Sequence, residues 1–289
     1  MKLAVTGGTG LVGRFLVEGA LADGHSVTVM SRRAPAPGFF SSPVAHRRFA
    51  LGEAPDLTGA EAVIHAAFDH VPGRYRGGEG EDPDGFRHRN LAGSRAVFEA
   101  ARAAKAGRFI FLSSRAVYGS HAPGIRLTEE TLPRPDTLYG KVKLEAEQAL
   151  VALLGSGIAT VSLRCTGVYG PPGPGQRHKW HELFDDFRSA RAIEPRVGTE
   201  VHGTDLWRAI RLLLTEPSPP QVANVSDILL DRRDLLRMAA SVAGWQGQLP
   251  KHADADAVNA MDTTRLGALG WTPGGIPLLK ATLPALIRD

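Results

Sequence analysis

The first thirteen residues constrain the fold more than any other stretch. Leu3, Ala4 and Val5 form a short apolar run that stops at Thr6-Gly7, and a helical pattern begins at about Gly10. Strand, glycine turn and helix in that order are the context of a phosphate-binding loop. Its candidate members are Thr6, Gly7, Thr9, Gly10, Leu11, Val12 and Gly13. Gly7 permits a tight turn that a side chain would block. Gly10 lets backbone approach a pyrophosphate, and Gly13 lets the new helix pack close to a sheet. The unpaired N–H groups and positive dipole end of that helix then face the phosphates. The implied ligand is a dinucleotide.

The same alternation continues downstream. After a helix over about 11–22, Ser26 to Met30 reads as a second strand, with a poorly defined one near 47–51. Ala62 to Ala67 is continuous and apolar, as a buried parallel strand should be. Residues 69–88 read as a long loop without structure of its own, and long loops in compact domains tend to be functional. A helix is expected from Phe86 to Ala106, a strand over Arg108 to Ser113, a helix from about Asp136 to Leu154 and a strand over Ala159 to Arg164. Strands alternating with helices and few hairpin signals predict an α/β fold, a Rossmann-like doubly wound parallel sheet.

Beyond Gly167 the character changes. The run Gly-Pro-Pro-Gly-Pro-Gly over 170–175 breaks the pattern, and helices are expected over Trp180 to Arg191, Leu206 to Leu214 and Asp231 to Ala243, with a short strand at Val222 to Val225. The expected division is a dinucleotide-binding domain over 1–165 and a smaller, mixed substrate-binding region over 166–289. Part of the latter, about 200–225, is expected to return to the main sheet.

Composition matters chiefly for what it excludes. The chain has 289 residues, 43% apolar and 22% charged, an ordinary balance for a globular protein. No apolar stretch approaches the length that spans a bilayer. The net charge of +4 comes mainly from arginine, 27 of 34 basic residues, without a long basic run or basic–aromatic alternation. That argues against nucleic acid as a partner and leaves anionic small molecules. Cys165 is the only cysteine, so a reducing compartment fits. The first strand begins at residue 2, which leaves no room for a cleavable signal, and the expected location is cytoplasmic.

Two constellations carry chemistry. Tyr139 and Lys143 sit one helical turn apart on one face. A phenol with an unperturbed pKa of ~10 is a poor acid or base at neutral pH. A fixed ammonium nearby stabilises the phenolate and lowers that value. Such spacing also recurs by chance. Ser113 and Ser114 end a buried strand, which in an open parallel sheet points them toward the ligand crevice; a strand-end serine also commonly satisfies backbone.

Taken together, these residues resemble the extended short-chain dehydrogenase/reductase family, which includes NAD(P)-dependent sugar epimerases and dehydratases. The resemblance rests on Thr6-Gly-x-x-Gly-x-x-Gly13, Val63-Ile64-His65-Ala66-Ala67, Asn90-Leu-x-Gly-Ser and the stretch from Phe109 to Gly119. Tyr139-x-x-x-Lys143, the stretch from Leu163 to Pro171, His202-x-x-Asp205 and Leu269-Gly-Trp-Thr-Pro273 complete it in order, over nearly the whole chain.

The resemblance implies hydride exchange between nicotinamide and a substrate carbon, with Tyr139 exchanging the proton on oxygen. Lys143 is expected to anchor the nicotinamide ribose and tune Tyr139, and Ser114 to hold the reacting oxygen. His65, Ala66 and Ala67 are expected along the cofactor, although His65 itself reads as a packed strand-end histidine. Asn90 either supports the site from the neighbouring helix or is an ordinary helix N-terminal residue. A homodimer through the helices at about 87–106 and 138–154 is a family expectation.

Cofactor choice is read at the end of the second strand. Dinucleotide sites of this type usually place an acidic residue there to accept ribose hydroxyls. This chain has Ser31-Arg32-Arg33, and guanidinium groups pair well with a 2′-phosphate. The expected cofactor is NADP(H), ahead of NAD(H).

Departures from the family pattern narrow the reaction. Family dehydratases carry an Asp-Glu pair just after the strand-end hydroxyl, where this chain has Arg115 and Ala116, so dehydration is not expected. Nucleotide-sugar epimerases usually place an arginine where this chain reads Val197-Gly198-Thr199-Glu200, and Arg196 stands two positions off. Ser113, Arg115, Arg177 and Arg196 are the candidate substrate contacts. Arg177, His178 and Lys179 would suit a phosphate or carboxylate, or form a solvated basic loop. Arg74, Arg76, Arg87, His88 and Arg89 are interleaved with Glu79, Glu81, Asp82 and Asp84, which makes internal charge balance the default there and anion binding the alternative. His202 and Asp205 are expected to position a turn rather than bind metal.

The expected function is an NADP-dependent oxidoreductase that interconverts a carbonyl and a secondary alcohol on a small polar or sugar-like substrate. An epimerase using the same residues is the alternative. A non-catalytic NADP-sensing protein is the alternative of another class, and the intact Ser114, Tyr139 and Lys143 argue against it.

Overall fold

A computed structural model describes residues 1–71, 78–152 and 157–288. The chain opens with β1 (Lys2–Thr6), α1 (Leu11–Ala22), β2 (Ser26–Ser31), β3 (Ala45–Arg48), β4 (Ala62–His65) and α2 (Pro83–Ala103). It continues with β5 (Arg108–Ser114), a 3-10 turn over Arg115–Val117, α3 (Leu138–Val151), β6 (Ala159–Cys165), β7 (Gly167–Tyr169), α4 (His181–Arg188) and β8 (Val197–His202). The last elements are α5 (Gly203–Thr215), β9 (Val222–Val225), β10 (Ile228–Asp231), α6 (Arg232–Ala243), α7 (Thr264–Ala268) and α8 (Gly275–Ile287).

Among the described residues, seven strands form one sheet in the order β3-β2-β1-β4-β5-β6-β9. Every pairing within it is parallel. This is the Rossmann-like, doubly wound α/β architecture. The strand order reverses between β1 and β4, and an open α/β sheet binds its ligands in the crevice at such a switch point. The central strands are buried on both faces, which explains why β4 reads Ala-Val-Ile-His without alternation.

Two cores flank the sheet. One packs α1 and α5 against it through Phe15, Leu16, Val17, Leu206 and Ile210. The other packs α2 and α3 through Val97, Phe98, Ala146 and Leu150. Leu16 and Val17 are fully enclosed, and such burial contributes about 1.5–3 kcal/mol per side chain relative to exposure.

A smaller sheet, β10-β8-β7, and helices α4, α6 and α8 enclose a third core built on Tyr169, Trp180, Phe184, Leu236 and Leu283. Between these elements the chain crosses back, and β9 joins β6 at the edge of the main sheet. Asp231 caps α6 by accepting from the Arg233 N–H at 2.7 Å, and Gly244 ends it in the left-handed region at φ 70°.

Some element limits differ from the sequence reading. The stretch 69–88 is not loop throughout: α2 begins at Pro83, because Asp82 accepts from Gly85 N–H at 2.9 Å and proline is well placed in a first turn. The third strand lies at 45–48, ahead of the 47–51 expected from its weak pattern. β7, β8, β10, α7 and α8 had no sequence expectation, being short or, for α8, interrupted by Pro284.

Candidate active site

The turn after β1 is built from backbone. Gly7 adopts φ 70°, and a Cβ there would fall 2.8 Å from Ala67 Cα. A Cβ on Gly13 would fall 2.7 Å from the Gly7 carbonyl carbon. Gly10 caps α1 with no side-chain hydrogen bond and no acidic residue in the first turn. The helix N–H groups are therefore left to an anion arriving in the crevice. The residues present fit a dinucleotide pyrophosphate.

At the end of β2, Ser31 is buried and its hydroxyl donates to the Arg33 carbonyl at 2.7 Å. That turn holds Arg32 and Arg33 exposed. Arg48 on β3 stands in register with Ser31, and its guanidinium bonds Glu53 at 3.1 Å. The sequence reading missed Arg48 because β3 lacks an apolar pattern.

Thr137 caps α3 by accepting from Gly140 N–H at 3.0 Å, so Tyr139 and Lys143 point from its first turns toward the ends of β5 and β6. The Tyr139 phenol hydrogen-bonds with Ser114, and burial pushes its pKa up to about 12. Ser114 Oγ also accepts from Ala116 N–H at 3.1 Å, which fixes the serine at the strand end.

Lys143 is buried, donates from Nζ to the Leu112 carbonyl at 2.7 Å, and lies 4.0 Å from the Phe68 ring centroid and 4.9 Å from that of Phe111. Burial lowers its pKa to about 7, against the attraction of Glu147. The lowering of the Tyr139 pKa expected from Lys143 is outweighed by burial. Nζ sits 5.8 Å from the tyrosine ring centre, and desolvation dominates both groups. Tyr139 is a proton-bearing phenol at neutral pH.

Several expected contacts lie elsewhere. The His65 imidazole faces the core, as its reading as a packed strand-end histidine expects: it hydrogen-bonds with Thr6 Oγ1 at 2.7 Å and Ser94 Oγ at 3.1 Å, and burial lowers its pKa to about 3. Ala66 and Ala67 follow it into the crevice, where Ala67 N–H donates to Thr6 Oγ1 at 3.2 Å. Asn90 is no helix-terminal residue. It is wholly buried, donates to the carbonyls of Asp69 and Phe86, and accepts from Asp69 N–H at 2.7 Å. Its effect on the site runs through the loop that carries Phe68.

Ser113 turns away from the crevice, because adjacent strand side chains alternate, and donates to Glu147. Arg115 donates to the Asn259 carbonyl at 2.7 Å, tying the C-terminal region to the turn after β5. Arg177 and Arg196 are exposed. Arg87 pairs with Glu145 at 2.9 Å, and Arg89 with Asp69 and Asp82 at 2.7 and 3.0 Å. Arg74 and Arg76 lie outside the described residues. His202 accepts from Thr204 N–H at 3.1 Å, and Asp205 accepts from Gly274 N–H at 2.9 Å, so both position backbone.

A buried network behind the site had escaped the sequence reading. Glu147, one turn beyond Lys143, takes a bidentate bond from Arg164 at 2.7–3.2 Å. Arg164 lies 4.7 Å from the Tyr118 ring centre, and the Tyr118 hydroxyl donates to Asn224 at 2.8 Å. The spacing Lys143-x-x-x-Glu147 was visible. Its partner 17 residues on was not. Phe68 was also missed: it packs edge-on against Tyr139 at 5.1 Å and lies 4.0 Å from Lys143 Nζ.

The family model described as the NAD dependent epimerase/dehydratase family matches residues 3–226. The chain belongs to that family. Its members among the curated relatives are NAD(P)-dependent enzymes of the extended short-chain dehydrogenase/reductase type. A UDP-glucose 4-epimerase of Corynebacterium glutamicum is 29% identical over 63% of this chain and 56% of its own length. The chain thus spans little more than half of that relative. A dTDP-6-deoxy-L-talose 4-dehydrogenase (NAD(P)(+)) of Kitasatospora kifunensis is 28% identical over 100% of this chain and 94% of its own. In structure, the chain is similar to a Thermus thermophilus UDP-glucose 4-epimerase solved in complex with NAD, with a TM-score of 0.78, 26% identity and coverage of 100% and 99%. Among the described residues no helix is long and apolar enough to cross a membrane.

Proposed function

We propose that this family member is an NADP-dependent oxidoreductase that interconverts a carbonyl and a secondary alcohol on a small polar or sugar-like substrate. One observation carries the reading: a proton-bearing Tyr139, hydrogen-bonded to Ser114 at the end of β5, with Lys143 one turn further along α3. Bound nicotinamide supplies or accepts the hydride at the substrate carbon. Tyr139 gives its proton to the substrate oxygen, which Ser114 holds in line. Lys143 carries the positive charge that compensates the phenolate left behind and, once Phe68 yields, reaches the ribose hydroxyls.

The Ser31-Arg32-Arg33 turn, with no carboxylate to accept ribose hydroxyls, supports NADP over NAD. Arg115 and Ala116 in place of an acid–base pair support simple redox chemistry over elimination. The name of the Kitasatospora relative, a 4-dehydrogenase, is in keeping with that choice. The epimerase names of other relatives favour a second reading, transient oxidation and re-reduction of one carbon by the same residues.

The test is NADPH oxidation, followed by absorbance, across a panel of small carbonyl compounds. Steady consumption that Tyr139→Phe abolishes supports the oxidoreductase. Interconversion of sugar epimers without net consumption supports the second reading. Failure to turn over any substrate contradicts both and revives a cofactor-sensing role.

A further inference from the structure

Beyond the ends of β5 and β6, the smaller sheet carries an ion pair with no role in the chemistry above. Ser114 on β5 pairs with Cys165 on β6, and only Thr166 separates Cys165 from Gly167 at the start of β7. Gly167 in turn lies opposite Glu200 on β8. Lys179, from the segment between β7 and α4, reaches back to donate to Glu200 Oε2.

The pair stands directly over Gly167: a Cβ there would fall 2.5 Å from Glu200 Oε2 and collide with Lys179 Nζ as well. Burial keeps the Cys165 thiol protonated, with Lys179, Glu200 and Lys143 as the charged groups around it. Cys165, in register with Ser114 and two residues before Gly167, links the pair to the end of β5 along the backbone.

The pair is lopsided. The Glu200 side chain is only 10% exposed, whereas that of Lys179 remains 30% exposed. Burial pushes the Glu200 carboxyl above its ordinary range despite the opposing charges of Lys179 and Arg196. A nearly buried carboxylate whose desolvation is not fully offset gains from any further hydrogen-bond donor brought to it. Thr166, which donates to Thr199 beside it, makes the surrounding surface polar as well.

The charge balance decides which donor. Lys179 is already committed to Glu200, so the pair itself carries no net charge, and the other cation acting on Glu200, Arg196, lies exposed just before β8. A neutral hydroxyl can donate to the carboxylate and accept from the ammonium.

We propose that Lys179 and Glu200 are the specificity-determining pair of the substrate pocket and read a hydroxyl group of an uncharged hydroxycarbonyl substrate. The proposal deepens the oxidoreductase reading and rests on it. It also replaces the phosphate or carboxylate suggested by Lys179 in the sequence alone.

The test uses the full chain with NADPH and three probes: dihydroxyacetone, butanone and dihydroxyacetone phosphate. NADPH binding is followed separately by fluorescence. The wild type is expected to prefer dihydroxyacetone to each of the others by at least ~10-fold in kcat/KM, the discrimination one hydrogen bond to a charged group supplies. Glu200→Gln is expected to lower the ratio of dihydroxyacetone to butanone kcat/KM by about 10-fold, through KM rather than kcat, with NADPH affinity unchanged. Lys179→Met, at the more exposed partner, carries the same measurement if Glu200→Gln fails to fold.

Equal use of dihydroxyacetone and butanone by the wild type, or variants that leave their ratio unchanged, would overturn the pair's role while the oxidoreductase reading stands. Preference for dihydroxyacetone phosphate would overturn it in favour of an anion site. Tight NADPH binding with no turnover of any probe overturns the oxidoreductase reading and this inference together.

Discussion

The two walls of the crevice are made differently. Where β1 meets α1, a ligand meets backbone: glycines at 7, 10 and 13 clear the space, and uncapped N–H groups supply the charge. Where β5, α3, β6 and β8 converge, the wall is built of buried side chains instead. Lys143 and Glu200 are each held against the pull of desolvation. A backbone cradle costs little because its groups would be unpaired at any helix start. The side-chain wall is held at a cost in stability, as groups at functional sites commonly are. Substitutions on the two walls should therefore fail in different ways.

The largest contrast comes from Tyr139→Phe. Loss of the proton donor is expected to lower kcat by about 10²–10⁴-fold, with NADPH affinity and thermal stability nearly unchanged. A variant within threefold of wild-type turnover would remove Tyr139 from the chemistry.

Behind it, Glu147→Gln should cost about 3–5 kcal/mol of stability, because it leaves Arg164 buried without its carboxylate. Urea unfolding measures this directly. A cost below ~1 kcal/mol, the size expected of an exposed pair, would show that Arg164 does not depend on Glu147 for its burial.

Lys143→Met sharpens the comparison through pH. The folded protein holds Lys143 near pKa 7, against an ordinary 10.5, so folding expels a proton between those values. Wild-type stability from this group therefore rises with pH over that window. The variant should be inactive yet melt higher than wild type below pH 7, and that advantage should shrink as pH approaches 10. An advantage that does not change with pH would mean that Lys143 is not buried as a charge.

The smallest effect separates neighbouring serines. Ser114→Ala should lower kcat about 10–100-fold, as loss of an oriented donor does. Ser113→Ala should leave kcat alone and cost about 1 kcal/mol of stability, since its bond goes to Glu147. Equal kinetic effects would contradict the strand alternation that separates them.

Legibility in the sequence followed the same divide. The glycine loop could be read because each glycine answers a local steric demand at fixed spacing. Tyr139 and Lys143 were legible as one helical turn, and the parallel sheet as strands alternating with helices. The tertiary pairs were not. Arg164 and Glu147, Lys179 and Glu200, and Phe68 over Lys143 depend on which elements the fold brings side by side. Ser113 shows the converse: it sits at a strand end in the right motif, yet its side chain points into the protein, whereas His65 is packed as its own reading favoured. Which of two strand-end residues faces the crevice depends on register, and a strand buried on both faces gives no alternation to reveal it.

The most direct test of the account as a whole is fluorescence titration of the full chain with NADPH and with NADH. The Ser31-Arg32-Arg33 turn predicts NADPH binding at least ~10-fold tighter, about 1.4 kcal/mol, with the difference lost in an Arg32→Ala, Arg33→Ala double variant. Equal or reversed affinity in the wild type would contradict the assignment of NADP and give precedence to NAD-dependent dehydrogenation or epimerisation.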